Sequence, residues 1–516
     1  MAHVNAGNNE HDEVKKFSRD QRTALPSEPV CAVCGRYGEY VCDATDEDIC
    51  SLECKQLLLC KAQNPQRMIQ LQDECCYVAD SFYTCSTSSL TLDQIDSLRR
   101  KHDIRVKGST VPPPILSFGS CRLPSKLVSN IEQAGYVLPT PVQMQAISCA
   151  LAGKSLLVSA DTGSGKTAAY LIPIVSLCVA IRSNEDTTHK MPLAIVLAPT
   201  RELCIQVEIE AKKLAKGLEF KTALVVGGDS IARQIYRIDK GVELIVGTPG
   251  RLIDILIKQD MKLDDVKIFA LDEVDCMLQK GFREQVMQIS RALYNPQALM
   301  FSATLSSEVV NLAGFISKDV VHVTVGKPNN PCKSVRQTVI WVESKHKKKK
   351  LFEILLSKEL FTPPAVVYVE SKLGADLLCE AITATTGLKA LSIHGDKPMK
   401  ERRDTMSSFL MGESPVMVAT GVLGRGVDLL HVKLVIIFDM PNSVDEYIHQ
   451  VGRASRMGEV GSAIVFVNEE SNHLLPQFVE ILKSNGTFLP RELLNFHASR
   501  SSISGCKYKR KRMRAN

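Results

Sequence analysis

Residues 156–167 read LLVSADTGSGKT, an apolar run that enters a glycine-rich turn and opens a helical pattern through Ala168 to Ile172. A buried strand feeding a helix through such a turn lets the backbone amides of Ala160, Asp161, Thr162, Gly163, Ser164 and Gly165 close around phosphate oxygens. The helix N-terminus adds a favourable dipole, Lys166 supplies charge for the outer phosphates, and Thr167 offers a hydroxyl to Mg²⁺. Ala160 stands where the strict phosphate-loop pattern has glycine. This arrangement requires an α/β architecture, because the loop works only between a strand and a helix.

The rest of the chain agrees with that architecture. Short apolar runs recur at 194–198, 222–226, 244–247, 268–272 and 299–304, and a second series follows at 366–371, 390–395, 416–420, 434–439 and 463–467. Runs this short, rich in Val, Ile and Leu and bounded by Gly, Pro or Asp, suit strands buried on both faces of a parallel sheet. The expected fold is therefore α/β, two tandem doubly wound parallel-sheet domains over residues 111–326 and 335–485, broken by GKPNNPC near 326–335. Residues 1–28 are expected to be a disordered leader, 29–62 a small cysteine module, 63–110 a linker with one helix near Leu90–Leu98, and 486–516 an extension with a basic tail. At about 150 residues per domain, 516 residues accommodate this plan.

A phosphate loop of this kind needs an acid for the metal ion and a group to orient attacking water. The run IFALDEVD ends a strand on Asp272 and Glu273, which fit those two roles in that order. Further runs follow in a fixed sequence. Upstream stand Phe118 and, seventeen positions on, GYVLPTPVQ with Tyr136 and Gln143; downstream come PTREL (199–203), GG (227–228), TPGR (248–251) and SAT (302–304). The second half holds Thr420-Gly421, GRGVD (424–428) and HQVGRASR (449–456).

Over roughly residues 115–485 the ordered set resembles the DEAD-box RNA helicases, which implies two RecA-like domains that hydrolyse ATP and remodel short RNA duplexes or RNA–protein complexes with little sequence preference. The resemblance implies that Gln143 reads the adenine edge while Phe118 and Tyr136 pack its face, that Asp428 touches the ribose, and that Arg453 and Arg456 act as arginine fingers, with His449 in the same catalytic motif. It places Pro199, Thr200, Arg201, Gly228, Thr248, Arg251, Thr420 and Gly421 on the RNA, and makes Ser302, Thr304 and Asp275 the coupling between nucleotide and strand separation. The chain departs from the family at Val274 for Ala, Gln450 for Arg, Ser455 for Gly, Gly421 for Asp and Met399 for Gln. Altered packing beside the acids and altered domain closure or weaker RNA stimulation are the expected consequences. A second reading is an ATP-dependent RNA clamp or scaffold with little unwinding.

Nine of the 17 cysteines lie in residues 31–85 and the other eight are scattered, which is a metal-binding pattern rather than a secreted disulfide framework. Cys31-x2-Cys34 and Cys50-x3-Cys54 each fix two ligands on one turn, as a tetrahedral thiolate Zn²⁺ site requires. The segment resembles an HIT-type zinc finger, whose family binds two ions. Here the second site lacks a partner near Thr45 and has Leu58 where a His is expected, leaving Cys42 and Cys60, with Asp46 or other donors, as its candidates. Fingers of this type commonly serve protein contacts, so a protein partner is expected there, with RNA as the partner of the body.

Lys plus Arg number 63 against 57 acids, and residues 507–514 alone hold six of the basic ones; without them the balance is 57 against 57. RNA affinity must then come from local patches, and the tail is a nuclear address, a nonspecific RNA hook, or both. No basic leader with an apolar core is seen, and no apolar run of about 18 residues. The expectation is an intracellular protein without a membrane segment, in nucleus or cytoplasm, with the tail weakly favouring the nucleus.

Overall fold

A computed structural model describes residues 18, 21–24, 28–42, 46–55, 91–184, 191–259, 261–326, 335–421, 432–454 and 461–493. The cysteine module and the two-sheet body are separate compact units.

In the first sheet the strands run in the order Ile104–Lys107, Val320–Val325, Ser155–Ser159, Gln297–Ser302, Ile268–Leu271, Ala194–Leu197, Leu244–Gly247 and Thr222–Val225. All pairs are parallel except the first, which is antiparallel. Successive residues of one strand enter opposite cores. Ile268 and Ala270 pack with Val158 and Phe301 on one face, while Phe269 and Leu271 pack with Ile195 and Met300 on the other. That two-sided burial is why these strands read as unbroken apolar runs. The second sheet has the order Val335–Trp341, Gly461–Val467, Leu434–Ile437, Ala365–Tyr368, Val416–Ala419 and Ala390–Ile393, all parallel.

Both expected boundaries move outward. The helix expected near Leu90–Leu98 is Leu92–Lys101, started by a capping box between Thr91 and Gln94. Arg99 Nε donates to Gln145 Oε1 at 2.9 Å, and the strand that follows, Ile104–Lys107, pairs with Val320–Val325. Residues 91–107 therefore belong to the first sheet domain rather than to a linker. Edge position explains why this strand was illegible: IRVK alternates polar and apolar over only four residues. At the other end Leu489 and Leu493 are buried, so packing continues past residue 485. The expected break at 327–334, the leader and linker residues 1–17 and 56–90, and the tail from 494 lie outside the described residues.

The phosphate-loop helix, Lys166–Asn184, holds an 18-residue window apolar enough to cross a membrane. It is a core helix here, with Ala168 to Ile172 fully buried against the sheet.

Candidate active site

The phosphate loop closes on its own lysine. Lys166 Nζ donates to the carbonyls of Ala160 and Asp161 at 2.6 and 2.8 Å. Burial pulls its pKa down, against Asp272, Glu273, Asp275 and Asp161, which favour the charge. Gly165 adopts φ +93°, and a Cβ there would stand 2.6 Å from Gln143 Nε2. The loop needs glycine for both conformation and space. Gln143 holds it from behind: Nε2 donates to Gly165 O at 3.1 Å, Oε1 accepts from Thr140 N, and Thr140 Oγ1 donates to Ser164 O.

The three residues expected to meet the adenine are packed in the first domain. Gln143 is 0% exposed and braces the loop, Phe118 is 4% exposed inside the first core, and half-buried Tyr136 donates its hydroxyl to Glu210 Oε1 at 2.8 Å. An apolar ring beside a sheet gains more from closing into the core than from facing water.

Asp272 and Glu273 end the strand Ile268–Leu271 beside Lys166. Glu273 takes the left-handed conformation at φ 50° and caps the helix Val274–Gln279, a conformation costing a non-glycine residue of order 1 kcal/mol. Val274 is buried among Leu271, Met277 and their neighbours, so the core absorbs the extra methyls of this departure. Asp272 Oδ1 accepts from Glu273 N at 3.0 Å and Oδ2 from the Tyr170 hydroxyl at 2.8 Å. Burial, with Glu273 beside it, pushes Asp272 from 3.8 up to about 6.

An acid whose pKa rises on folding loses stability as pH climbs from about 4 through about 6, and at pH 7 the loss is complete. Asp272→Asn is therefore expected to raise the thermal midpoint of the protein without nucleotide at pH 7, by about 1–3 kcal/mol of stability, with the gain vanishing at pH 4. Calorimetry at the two pH values checks this, and no gain at pH 7 would refute it.

Asp275 is the hub between the two sheets. Its Oδ2 accepts from Thr304 N and Thr304 Oγ1, both at 2.8 Å, and meets His449 Nε2 at 3.1 Å; Ser302 Oγ accepts from Asp275 N and donates to Thr304 O. Burial alone would raise this carboxyl, but the imidazole and the Thr304 donors hold it well below the usual range. His449 is 0% exposed. It joins this coupling cluster through Asp275. Arg453, one turn on, brings its guanidinium to 3.6 Å from Glu273 Oε1. Arg456 and Asp428 lie outside the described residues.

Pro199, Thr200, Arg201, Thr248 and Arg251, scattered over 53 positions, line one groove of about 410 Å³ together with Gly395 and Arg402 of the second domain. Arg402 pairs with Glu202 at 2.5 Å across the two domains, a contact with no trace in local spacing. Two expected RNA ligands do internal work. Thr200 Oγ1 accepts from Leu203 N as a helix cap, and Arg251 binds Gln234 Oε1 and Asp229 O, which fixes the loop after Gly228.

Thr420 and Gly421 lie outside that groove's lining. Above Gly421 sits the Glu446 carboxylate, in the space a Cβ would need, and Gln450 Nε2 donates to that carboxylate at 3.2 Å. Two of the departures are thereby one packing unit: glycine at 421 admits Glu446, and the amide at 450 holds it. Met399 opens the helix Met399–Leu410, and Ser455 lies outside the described residues.

In the cysteine module the strands Tyr40–Val41 and Asp48–Ile49 pair antiparallel and bring the two cysteine pairs together. The sulfurs of Cys31, Cys34, Cys50 and Cys54 all lie within 4.8 Å of one another. Thiolates about 2.3 Å from one tetrahedral ion stand roughly 3.8 Å apart, so the cluster fits Zn²⁺. Backbone amides of Val33, Cys34 and Cys50 outweigh burial at Cys31 and bring its thiol to about 7. Cys42 is fully buried in the module's small core, apart from that quartet, and Cys60 lies outside the described residues.

Comparison with known proteins matches three family descriptions in order: HIT zinc finger over 27–56, DEAD/DEAH box helicase over 140–312, and Helicase conserved C-terminal domain over 346–458. DEAD-box ATP-dependent RNA helicase 41 of Arabidopsis thaliana is 59% identical over 94% of this chain and 95% of its own. Probable ATP-dependent RNA helicase DDX59 of Homo sapiens is 46% identical over 93% of this chain and 79% of its own. Among solved structures, Mss116 bound to ssRNA and UDP-BeF aligns with a TM-score of 0.67 at 26% identity, covering 74% of this chain and 82% of that one. S. cerevisiae Dbp5 bound to RNA and ADP BeF3 aligns at 0.62 and 28%, covering 73% and 95%.

Proposed function

This chain belongs to the DEAD-box family of ATP-dependent RNA helicases, and we propose that it uses ATP hydrolysis to open short RNA duplexes or to remodel RNA–protein complexes with little sequence preference. The observation that carries the reading is the meeting of Lys166, Asp272, Glu273 and Arg453 at one point, directly beside the Asp275–His449 link between the two sheets.

In this mechanism the loop amides and Lys166 hold the outer phosphates, and Glu273 orients the attacking water. Arg453, with Arg456, stabilises charge on the transferring phosphoryl group only while the domains are together. Two adjacent buried acids facing a single lysine leave negative charge that a divalent ion relieves, so Asp272 and Thr167 fit Mg²⁺, which supplies charge neutralisation on the phosphates. The SAT loop, Asp275 and His449 transmit domain closure, because breaking any member strands a buried charge. The groove holding Arg201 and Thr248 takes the RNA backbone, whose contacts carry no base identity. Asp428 binds the ribose, Thr420 and Gly421 meet the strand from the second domain, and the finger recruits a protein.

ATP and RNA shift the equilibrium toward the closed form only through their greater affinity for it. Single-stranded RNA is therefore expected to stimulate ATP hydrolysis, the matching DNA strand to stimulate it little, and Lys166→Ala to remove the activity. Tight ATP-dependent RNA binding with negligible turnover in the unmutated protein would instead establish the clamp.

A further inference from the structure

One buried polar group of the phosphate-loop helix lies outside every motif invoked above. Tyr170 follows Thr167 by three residues, on the same face of the helix. It is 0% exposed, and its ring packs against Phe301 of the neighbouring strand at 5.2 Å between centroids. Its hydroxyl donates to Asp272 Oδ2 at 2.8 Å. Phenylalanine would satisfy the packing equally well; what tyrosine adds at this site is a single O–H.

We propose that Tyr170 is the positioning residue for the divalent cation of the nucleotide site. The inference rests on the reading of Asp272 and Thr167 as that cation's protein partners. A carboxylate offers about four lone-pair sites. At Asp272 one is bound to Glu273 N and one to Tyr170, which fixes the plane of the group and leaves the remaining sites directed. Donors held in place before the ion arrives bind it more tightly than donors that must be ordered by it, and outer-sphere partners of this kind typically change metal affinity by about 10–100-fold.

The test uses the full chain and equilibrium binding of a fluorescent ATP analogue while Mg²⁺ is titrated, so turnover is not the readout. Tyr170→Phe is expected to raise the Mg²⁺ concentration that gives half of the Mg²⁺-dependent tightening by about 10–100-fold. With EDTA in place of Mg²⁺ the variant and the unmutated protein should bind the analogue alike. Phe301→Leu, which loosens the ring contact and keeps the hydroxyl, should lower thermal stability and leave the Mg²⁺ midpoint in place. An unchanged midpoint in Tyr170→Phe overturns the inference, as does an equal shift in Phe301→Leu, which would assign the effect to packing. Analogue binding insensitive to Mg²⁺ in the unmutated protein would overturn the underlying reading of Asp272 and Thr167 instead.

Discussion

Arg453→Ala is expected to lower RNA-stimulated ATP turnover by roughly 10³-fold or more, the scale on which an arginine supplied to a transferring phosphoryl group acts. Arg453 comes from the second domain, on the single turn after the helix Val444–Val451, yet its guanidinium stands 3.6 Å from Glu273 of the first. It is nearly buried, with a side chain 10% exposed, so its field is poorly screened by water. Its stabilisation is present only when the domains meet, and loss of the side chain should therefore appear in turnover rather than in nucleotide affinity. Arg453→Lys keeps the charge but not the planar fork and should recover only part of the rate. Steady-state hydrolysis at saturating RNA, with nucleotide affinity measured in parallel, separates these outcomes. A variant that binds nucleotide weakly but turns over normally would assign Arg453 to binding alone.

Zinc removal is the second large effect. Among the described residues the core of the cysteine module is Cys31, Cys42, Ile49, Cys50 and Cys54 with Val33 and Tyr40 packed against it, a small core with which to order the segment unaided. Binding energy of about 10–16 kcal/mol is typical of structural Zn²⁺, and in such modules it is folding energy. A strong chelator, or Cys50→Ser, is expected to release one Zn²⁺ per chain from the quartet and to unfold residues 29–55. RNA-stimulated ATP hydrolysis should persist, because the body is a separate compact unit with its own cores. Metal analysis with amide exchange of the module reads the first effect and the ATPase assay the second. Retained amide protection in the metal-free module would show that its own packing suffices.

The departures from the family pattern are partly explained by contact. Val274 was expected to disturb packing beside the acids, and it lies inside a core that accommodates it. Gly421 and Gln450, 29 positions apart, meet through Glu446; the i, i+4 pair of Glu446 and Gln450 is ordinary helix spacing, but the approach of Glu446 to Gly421 is not local.

What the sequence determined by itself was local in character. Continuous apolar runs mark strands buried on both faces because neither side of such a strand meets water, and every strand so marked is present. The phosphate loop and the paired cysteines were legible because their chemistry needs residues a few positions apart. One end of the first sheet was not: Ile104–Lys107 at its edge and Val320–Val325 beside it mix polar and apolar residues, and they pair with each other across more than 200 positions. The tertiary structure alone decided the fate of individual polar groups. It closed Gln143 and Phe118 into the interior, placed His449 on Asp275 across 174 positions, set Arg402 on Glu202 and the Tyr170 hydroxyl on Asp272. A buried donor must find an acceptor wherever the fold brings one, and that choice depends on distance in space, which composition and periodicity do not record.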